Sequence, residues 1–155
     1  MEPGEEIEVC NLVARSFNEF IAPDFSDEGV DEFYKYVNHR SLFKRSESNC
    51  VVLVAEEGKR FAGMIELRDH THISMLFIDK AYHRRGIAKQ LFIEVIEQSK
   101  ASIIFPARLT VYSSPYAVPF YENIGFKQTE NKKIIHGIVH YPMALMLNDV
   151  REIGK

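Results

Sequence analysis

A basic turn is the first segment of the sequence that could do chemistry, because it could bind a multiply charged anion. His83-Arg84-Arg85-Gly86-Ile87-Ala88 follows an apolar run and precedes an amphipathic helical pattern. The first turn of a helix exposes unpaired main-chain N–H groups and a partial positive charge. Gly86 lets an anion approach the backbone closely, and Ala88 keeps the next turn small. The segment could hold two phosphate groups, although a helix start with two solvated arginines is the alternative.

A second motif lies further along the chain, where a short helical pattern leads into a strand. Its residues are Phe120-Tyr121-Glu122-Asn123-Ile124-Gly125-Phe126. Together the two motifs resemble the GNAT superfamily of N-acetyltransferases, which has a cofactor turn of the form Arg/Gln-x-x-Gly-x-Gly/Ala and a later Phe-Tyr-x-x-x-Gly-Phe. The resemblance extends from about Val9 to Leu147 in the order and spacing of the elements. Either motif alone is weak, but the pair in this order is a strong indication.

The resemblance implies a reaction and a role for several residues. Acetyl-CoA would be the co-substrate, and its acetyl group would pass directly to a primary amine of an acceptor. Tyr121 would be the general acid, because a phenol with a pKa of about 10 stays protonated and can donate to a thiolate with a pKa of about 8.5. The backbone of Phe77 and Ile78 would pair with the pantetheine arm, and an N–H near Ile78 could polarise the thioester carbonyl. The cofactor-binding residues implied are Phe77, Ile78, His83, Arg84, Arg85, Gly86, Ile87, Ala88, Ser114, Phe120 and Tyr121.

Two features depart from the superfamily pattern. His83 stands where Arg or Gln is usual, which removes a reliable side-chain donor and leaves the main-chain amides to bind the phosphates. The chain also begins close to its first helical pattern, where relatives usually have a strand. Either that strand is missing or Glu5–Val9 supplies a fragment of it.

The general base is the least determined part of the chemistry. Glu66 alternates with Met64 and Arg68 on one predicted strand and is the best carboxylate candidate, acting directly or through water. A cross-strand ion pair with Arg68, or a solvated face, is the competing interpretation. His72 and His140 are weaker candidates, since an unperturbed histidine titrates near neutrality. An amine of modest pKa could also lose its proton to water without a dedicated base.

The elements that must position these residues follow from hydrophobic periodicity. Helical stripes run from Val9 to Phe20 and, after a Ser26 cap, from Val30 to Val37. The polar segment His39–Asn49 is interpreted as a frayed helix end and a loop. Aromatic residues around the two helices either line an acceptor pocket or pack the core. They are Phe17, Phe20, Phe25, Phe33 and Tyr34.

Strands follow these helices. The first three have short connections and form an antiparallel meander. A helix that opens at Gly86 separates the third strand from the fourth, so these two can run parallel. Its inner stripe is Ile87, Leu91, Phe92, Val95 and Ile96. Pro142 interrupts the last strand, where we expect a bulge or a sheet edge. The predicted elements are the strands Cys50–Glu56, Phe61–Arg68, His72–Asp79, Leu109–Tyr112, Phe126–Glu130 and Ile134–Leu147, and a short helix over Tyr116–Ile124.

These elements predict a mixed α/β (α+β) fold in a single domain over residues 1–155. An antiparallel N-terminal meander is followed by a β-α-β unit, and helices flank the sheet. The resemblance adds the GNAT-like acyl-CoA N-acyltransferase fold, a curved mixed sheet whose central parallel strands splay apart.

Composition limits the partners and the location of the protein. A formal net charge of −3 provides no global field for nucleic acid or for an anionic membrane. The acidic opening residues are unlike a signal peptide, and no apolar run approaches the roughly 18 residues that span a bilayer. We therefore expect a cytoplasmic protein. Cys10 and Cys50 have no metal-ligand spacing around them, so no metal is expected. A homodimer formed through the last strands remains open.

Two other functions also remain open from the sequence. The departure at His83 and the lack of a clear base would suit a non-catalytic acyl-CoA-binding sensor or regulatory module. A plain interaction domain that keeps the fold without the cofactor is the third interpretation. The acceptor itself is open, from a small polyamine to a protein lysine.

Overall fold

A computed structural model of the protein describes residues 1–100 and 106–147. Within them, seven strands form one sheet. None of the helices in these two ranges combines the length and the apolar composition that crossing a membrane requires. The helices are α1 (Glu6–Phe20), α2 (Asp27–Tyr36), α3 (His39–Ser46), α4 (Ile87–Lys100) and α5 (Val118–Asn123), and the strands are β1 (Cys50–Glu57), β2 (Arg60–Arg68), β3 (His72–Ile78), β4 (Arg108–Ser113), β5 (Lys127–Gln128), β6 (Lys133–Ile135) and β7 (Ile138–Met146).

The strand order confirms the predicted fold class. The sheet runs β1-β2-β3-β4-β7-β5, with β6 paired to β7 beside this path. β1, β2 and β3 form the antiparallel meander, and β3 and β4 are the parallel pair separated by α4. A parallel pair needs such a crossover because its two strands run in the same direction, so the chain must return to the end of the sheet where the first strand began.

Helices cover both faces of the sheet and divide the core into two clusters. Helices α1 to α3 lie on one face and α4 and α5 on the other, and the apolar stripe predicted for α4 is buried as expected. Burying each large apolar side chain stabilises the fold by roughly 1.5–3 kcal/mol. The α1–α3 cluster includes Val9, Leu12, Val13, Phe17, Met64, Met75 and Phe77, and the α4–α5 cluster includes Leu91, Phe92, Val95, Ile96, Tyr121 and Phe126.

The segment Glu5–Val9 does not supply a strand fragment. Helix α1 begins at Glu6, and no strand precedes it in the described part of the chain. The helical spacing of Val9, Leu12 and Val13 decides this, because it buries all three side chains on one stripe against the sheet.

The interpretation of His39–Asn49 as a frayed end and a loop is wrong for most of its length. Residues His39–Ser46 form α3, and the Asn38 side chain caps it by accepting a hydrogen bond from the Ser41 N–H at 3.0 Å. The helix is polar and buries a single apolar side chain, Leu42. Its other inward residue is Arg45, which pairs with Glu66 on β2. Because Arg45 is charged, the hydrophobic pattern of the segment did not indicate that it points inward.

The predicted strand Ile134–Leu147 is two strands, β6 and β7, joined by a tight turn. Ile135 pairs with Ile138, so the loop between them has two residues. His136 and Gly137 both have positive φ, at 49° and 74°. That combination is a type I′ turn, which matches the twist of the flanking strands.

The bulge considered for Pro142 is absent, and the edge is local, on one side of β7. Pro142 lies inside β7, in unbroken register with Tyr112 of β4. Its carbonyl accepts a hydrogen bond from the Thr129 N–H at 2.9 Å, on the side away from β4. A residue's N–H and C=O point to the same side of a strand. The Pro142 nitrogen, which carries no hydrogen, therefore faces the interval between β5 and β6. No strand is paired with Pro142 on that side, so the fold loses no ladder hydrogen bond there.

Two glycines hold α2 against the β6–β7 turn. A Cβ on Gly29 would lie 2.2 Å from the Gly137 carbonyl oxygen, and a Cβ on Gly137 would lie 1.8 Å from the Ser26 Oγ. The Ser26 N–H also donates to the Gly137 carbonyl at 3.3 Å. Both elements line the cavity described below, so this contact fixes one wall of the cavity.

We expect Gly29→Ala to destabilise the protein, although alanine is the better helix former. Propensity alone would stabilise α2 by roughly 0.5–1 kcal/mol. The new methyl group collides with backbone that cannot rotate away, and such overpacking costs about 1–3 kcal/mol. A net loss of about 1–2 kcal/mol in the free energy of unfolding should appear in urea denaturation. Asp31→Ala, at an exposed site of the same helix, is the control, and a gain in stability for Gly29→Ala would contradict the packing argument.

Candidate active site

Strands β3 and β4 separate soon after they begin, as the resemblance implied. They are paired at His72–Thr110 and Ile73–Val111 and at no later residue of the two strands. A cavity of about 690 Å³ lies beside the gap. Its walls include Phe77 from the α1–α3 cluster and Tyr121 from the α4–α5 cluster. The cavity therefore adjoins both faces of the sheet.

A β-bulge at Ser74 sets the direction of the main-chain groups along the gap. Glu66 and Leu67 on β2 are opposite Met75 and Ile73, so Ser74 is the extra residue. Further along, the Asp79 N–H donates to the Ala62 carbonyl of β2 at 2.9 Å.

Main-chain groups of a strand alternate in direction, so the groups of Phe77 point to β2 as those of Asp79 do. The groups of Leu76 and Ile78 point away from β2, toward the gap. The Ile78 carbonyl accepts from the Ser16 Oγ at 2.9 Å and from the His83 ring at 3.0 Å. The N–H of Ile78 and both groups of Leu76 are thus directed to the gap, and Leu76 is a candidate that the sequence did not identify.

The turn between β3 and α4 presents free amides, as an anion site requires. Arg84 and Gly86 have positive φ, at 62° and 77°. The first main-chain bond of α4 runs from the Gln90 N–H to the Gly86 carbonyl at 3.0 Å. In the described residues, the amides of Ile87 and Ala88 have no hydrogen-bond partner. These N–H groups and the helix dipole together form a cradle for an anion.

The side chains of this turn are largely engaged elsewhere. Arg85 forms an ion pair with Glu57, with one oxygen at 3.0 Å and the other at 3.2 Å, and its guanidinium lies over the Tyr82 ring. His83 donates from Nε2 to the Ile78 carbonyl, and its ring contacts Phe20. Any phosphate bound here would therefore meet main-chain amides rather than these two side chains.

Tyr121 lies at the cavity wall with its ring in the core. Its side chain is 4% exposed, and the ring packs edge-on against Phe120 and Phe126. Burial raises the pKa of the Tyr121 hydroxyl above its ordinary value of 10. This hydroxyl stays protonated at neutral pH and can serve as a proton donor.

Glu66 does not lie on the cavity wall and forms neither an ion pair with Arg68 nor part of a solvated face. Its side chain is completely buried and accepts hydrogen bonds from the Arg45 Nε at 3.0 Å and from the Tyr36 hydroxyl. Tyr36 lies on the cavity wall. Tyr36 therefore links the buried carboxylate to the cavity wall through its hydrogen bond to Glu66.

The two histidines proposed as weaker bases both lie on the cavity wall. The His72 Nδ1 lies 2.8 Å from the Thr110 Oγ1, and burial lowers the pKa of His72 to about 4. Burial also lowers the pKa of His140. Desolvation disfavours the imidazolium form, so both rings are poor proton acceptors at neutral pH.

The remaining predicted residues divide between the cavity and the core. Ser114 lines the cavity and caps the 3₁₀ turn Pro115–Ala117, since its Oγ accepts from the Ala117 N–H at 3.3 Å. Phe120 packs into the α4–α5 cluster and is absent from the cavity wall. The aromatic group is split in the same way. Phe25 and Phe33 line the cavity, whereas Phe17, Phe20 and Tyr34 do not.

Besides Leu76, two residues of this site were not identified from the sequence. Tyr36 is not among the residues of the predicted apolar stripe of α2, which are Val30, Phe33, Tyr34 and Val37, and Arg45 lies in the segment taken for a loop. The capping pattern of Asn38 and Ser41 was a usable signal for α3. No signal in the sequence pairs Arg45 with a strand residue 21 positions away.

Comparison with known proteins agrees with this geometry. A family model described as "Acetyltransferase (GNAT) domain" matches residues 21–147. The chain is 27% identical over 133 residues to the uncharacterized N-acetyltransferase YafP of Escherichia coli (strain K12), covering 86% of this chain and 82% of that protein.

Solved structures share the fold at lower identity. A GCN5-related N-acetyltransferase from Rhodopseudomonas palustris has a TM-score of 0.79 at 20% identity, over 94% of this chain and 92% of that one. PaiA N-acetyltransferase from Thermoplasma acidophilum, solved in complex with coenzyme A, has a TM-score of 0.79 at 17% identity, over 94% and 95% of the two chains.

Proposed function

Since this chain belongs to the GNAT family of acetyltransferases, we propose that it transfers the acetyl group of acetyl-CoA directly to a primary amine. The observation that carries the proposal is the gap between β3 and β4, with the buried residue Tyr121 on the wall of the adjoining cavity. The similar PaiA enzyme was solved with coenzyme A, which supports the same class of co-substrate here.

The described residues suit each part of an acyl-CoA molecule. The Leu76 and Ile78 groups that face the gap can pair with the amides of a pantetheine arm, as an added strand would. The amides at Ile87 and Ala88 suit the pyrophosphate. A thioester carbonyl in the gap would meet main-chain N–H donors, which stabilise negative charge as it develops on that oxygen.

Tyr121 completes the reaction at the sulfur. As the amine nitrogen forms its bond to the acetyl carbon, the carbon–sulfur bond breaks and the electron pair leaves with the sulfur. Tyr121, kept protonated by burial, donates its proton to that thiolate. The attacking nitrogen loses a proton as the amide forms, and the products are an N-acetylated amine and free coenzyme A.

Thermal unfolding with ligands tests the cofactor part of this proposal. Acetyl-CoA and CoA at 100 times their Kd should each stabilise the protein by about 2.7 kcal/mol. For a chain of this size that is a rise in Tm of roughly 5–10 °C. Adenosine 3′,5′-bisphosphate, which lacks the pantetheine arm, should shift the Tm much less. Equal shifts from the bisphosphate and from acetyl-CoA would contradict pairing of the arm with β3.

A matched pair of variants locates the anion. Ala88→Asp places a carboxylate beside the amide cradle, where it would repel a phosphate but suit the helix dipole, so the fold should be retained. Gln90→Asp places the same charge about 200° around the same helical turn. We expect acetyl-CoA to lose most of its Tm shift with Ala88→Asp and to keep it with Gln90→Asp. Equal shifts for the two variants would place the phosphates elsewhere.

A further inference from the structure

Beyond the acetyl transfer proposed above, and resting on it, we propose that Tyr36 and Glu66 form the route by which the acceptor amine loses its proton. The Tyr36 hydroxyl accepts a proton from the amine and passes its own proton to the Glu66 carboxylate. Tyr36 is then a catalytic residue that touches the acceptor, and Arg45 is a positioning residue that acts through the other two.

Three contacts hold this group of residues in one arrangement. The Arg45 Nε donates to both Glu66 carboxylate oxygens, at 3.0 and 3.3 Å. The Arg45 Nη1 donates to the Tyr36 main-chain carbonyl at 3.0 Å, and the guanidinium carbon lies 3.7 Å from the centre of the Tyr36 ring. Helices α2 and α3 are thereby tied to each other and to β2, and the Tyr36 side chain has little freedom to turn.

The direction of the tyrosine hydrogen bond follows from the chemistry of its partner. A carboxylate paired with a guanidinium can only accept, so the Tyr36 hydroxyl donates to Glu66. The Ser74 hydroxyl lies beside the phenolic oxygen and acts to lower the pKa of Tyr36, which leaves one lone pair for another donor, and both residues lie on the cavity wall. An amine N–H entering the cavity therefore meets a hydrogen-bond acceptor whose own proton is already directed at a base.

Neither residue could act alone at neutral pH. Burial and the Glu66 carboxylate raise the pKa of Tyr36 to about 12, so its phenolate is not available as a resident base. The Glu66 side chain has no exposed surface and no place on the cavity wall, so an amine cannot reach it directly. The two histidines on the wall have lowered pKa values and do not replace this route.

The proton balance of the whole reaction closes without another reactant. A cationic acceptor loses two protons. Before attack, the first moves from the ammonium nitrogen to the Tyr36 oxygen while the Tyr36 proton moves to a Glu66 oxygen, and it then passes to solvent. The nitrogen–carbon bond forms and the carbon–sulfur bond breaks, and a proton from Tyr121 ends on the sulfur. The second proton leaves the nitrogen as the amide forms and, through solvent, restores Tyr121, so the reaction releases one proton in all.

Tyr36→Phe tests the route, because it removes the hydroxyl and keeps the ring on which Arg45 stacks. Thiol release would be followed with a panel of primary amines that includes benzylamine, cationic at neutral pH, and aniline, neutral at neutral pH. With a cationic acceptor we expect kcat/KM at neutral pH to fall about 100-fold and to rise with pH toward the pKa of the amine, because only free amine from solution can then react. With a neutral acceptor the loss should shrink to about threefold or less.

Tyr34→Phe is the matched control, since Tyr34 lies on the same helix, bonds to Asn18 at 2.7 Å and is absent from the cavity wall. Equal losses for cationic and neutral amines, or an unchanged pH profile in Tyr36→Phe, would overturn the route. If Tyr36→Phe does not fold, Glu66→Gln carries the test, because an amide accepts the hydrogen bond but cannot take the proton. Absence of turnover with every amine would instead overturn the acetyltransferase proposal, and the route with it.

Discussion

Replacing Tyr121 by phenylalanine should lower kcat by about 100- to 1000-fold while the Kd of acetyl-CoA changes by less than about threefold. The substitution removes the one proton donor that we assign to the leaving thiolate. It keeps the ring that packs against Phe120 and Phe126, so the core and the cavity wall should keep their shape. Steady-state thiol release at saturating amine gives kcat, and isothermal titration gives the Kd.

Tyr141→Phe is a suitable control for this measurement. Tyr141 also packs against the α4–α5 cluster and is half-buried, but it lies on β7 and is absent from the cavity wall. It should turn over like the unaltered protein. An unchanged kcat in Tyr121→Phe would remove Tyr121 from the mechanism, and a large loss of acetyl-CoA affinity would give it a binding role instead.

The second large effect is expected on stability, at Arg45. Glu66 is completely buried, and its only ion-pair partner in the described residues is Arg45. Arg45→Met would leave a carboxylate without a counter-charge in the core, which costs about 3–5 kcal/mol in the free energy of unfolding. For a chain of this size the Tm should fall by roughly 6–20 °C. Urea denaturation would measure the loss, and added salt should change it little because the pair is shielded from solvent.

A double substitution separates a buried charge from lost packing. Arg45→Met combined with Glu66→Leu removes both charges and keeps apolar volume at both sites, so most of the stability should return. Arg40→Met on the exposed side of the same helix is the control and should change the free energy of unfolding by less than about 0.5 kcal/mol. A double variant as unstable as Arg45→Met would mean that the arginine acts through packing alone.

Periodicity within a segment was enough to predict most of the fold. The stripe from Leu91 to Ile96 placed α4, and the short connections between the first three strands gave the meander. The length of the segment between His72–Asp79 and Leu109–Tyr112 gave the parallel pair. These features depend on residues close together in sequence, or on simple chain length. The resemblance that the two motifs carry then implied that the central parallel strands would splay apart.

The errors have a common physical cause. Helix α3 was missed because one of its two inward residues, Arg45, is charged. Such a side chain turns inward only when it has a partner there, and this partner, Glu66, is distant in sequence. The turn at His136 and Gly137 was missed because only two residues separate the apolar residues on either side, so the segment looked like one continuous strand. Tyr36 was missed for the reason that hid Arg45: its role depends on Glu66, 30 residues away in the chain.

The bulge at Ser74 sets the phase of the rest of β3. Strand side chains and main-chain groups have a period of two, so a shift of one residue reverses everything beyond it. If Ser74 instead paired with Glu66 in a regular ladder, the side chains of Met75 and Phe77 would leave the α1–α3 cluster, and the main-chain groups of Leu76 and Ile78 would turn toward β2. Surface loops drift in length over evolution at little cost. Here one codon inserted between Ser74 and Ile78 would turn the gap-facing main-chain groups toward β2 while leaving every side chain of the site in the sequence.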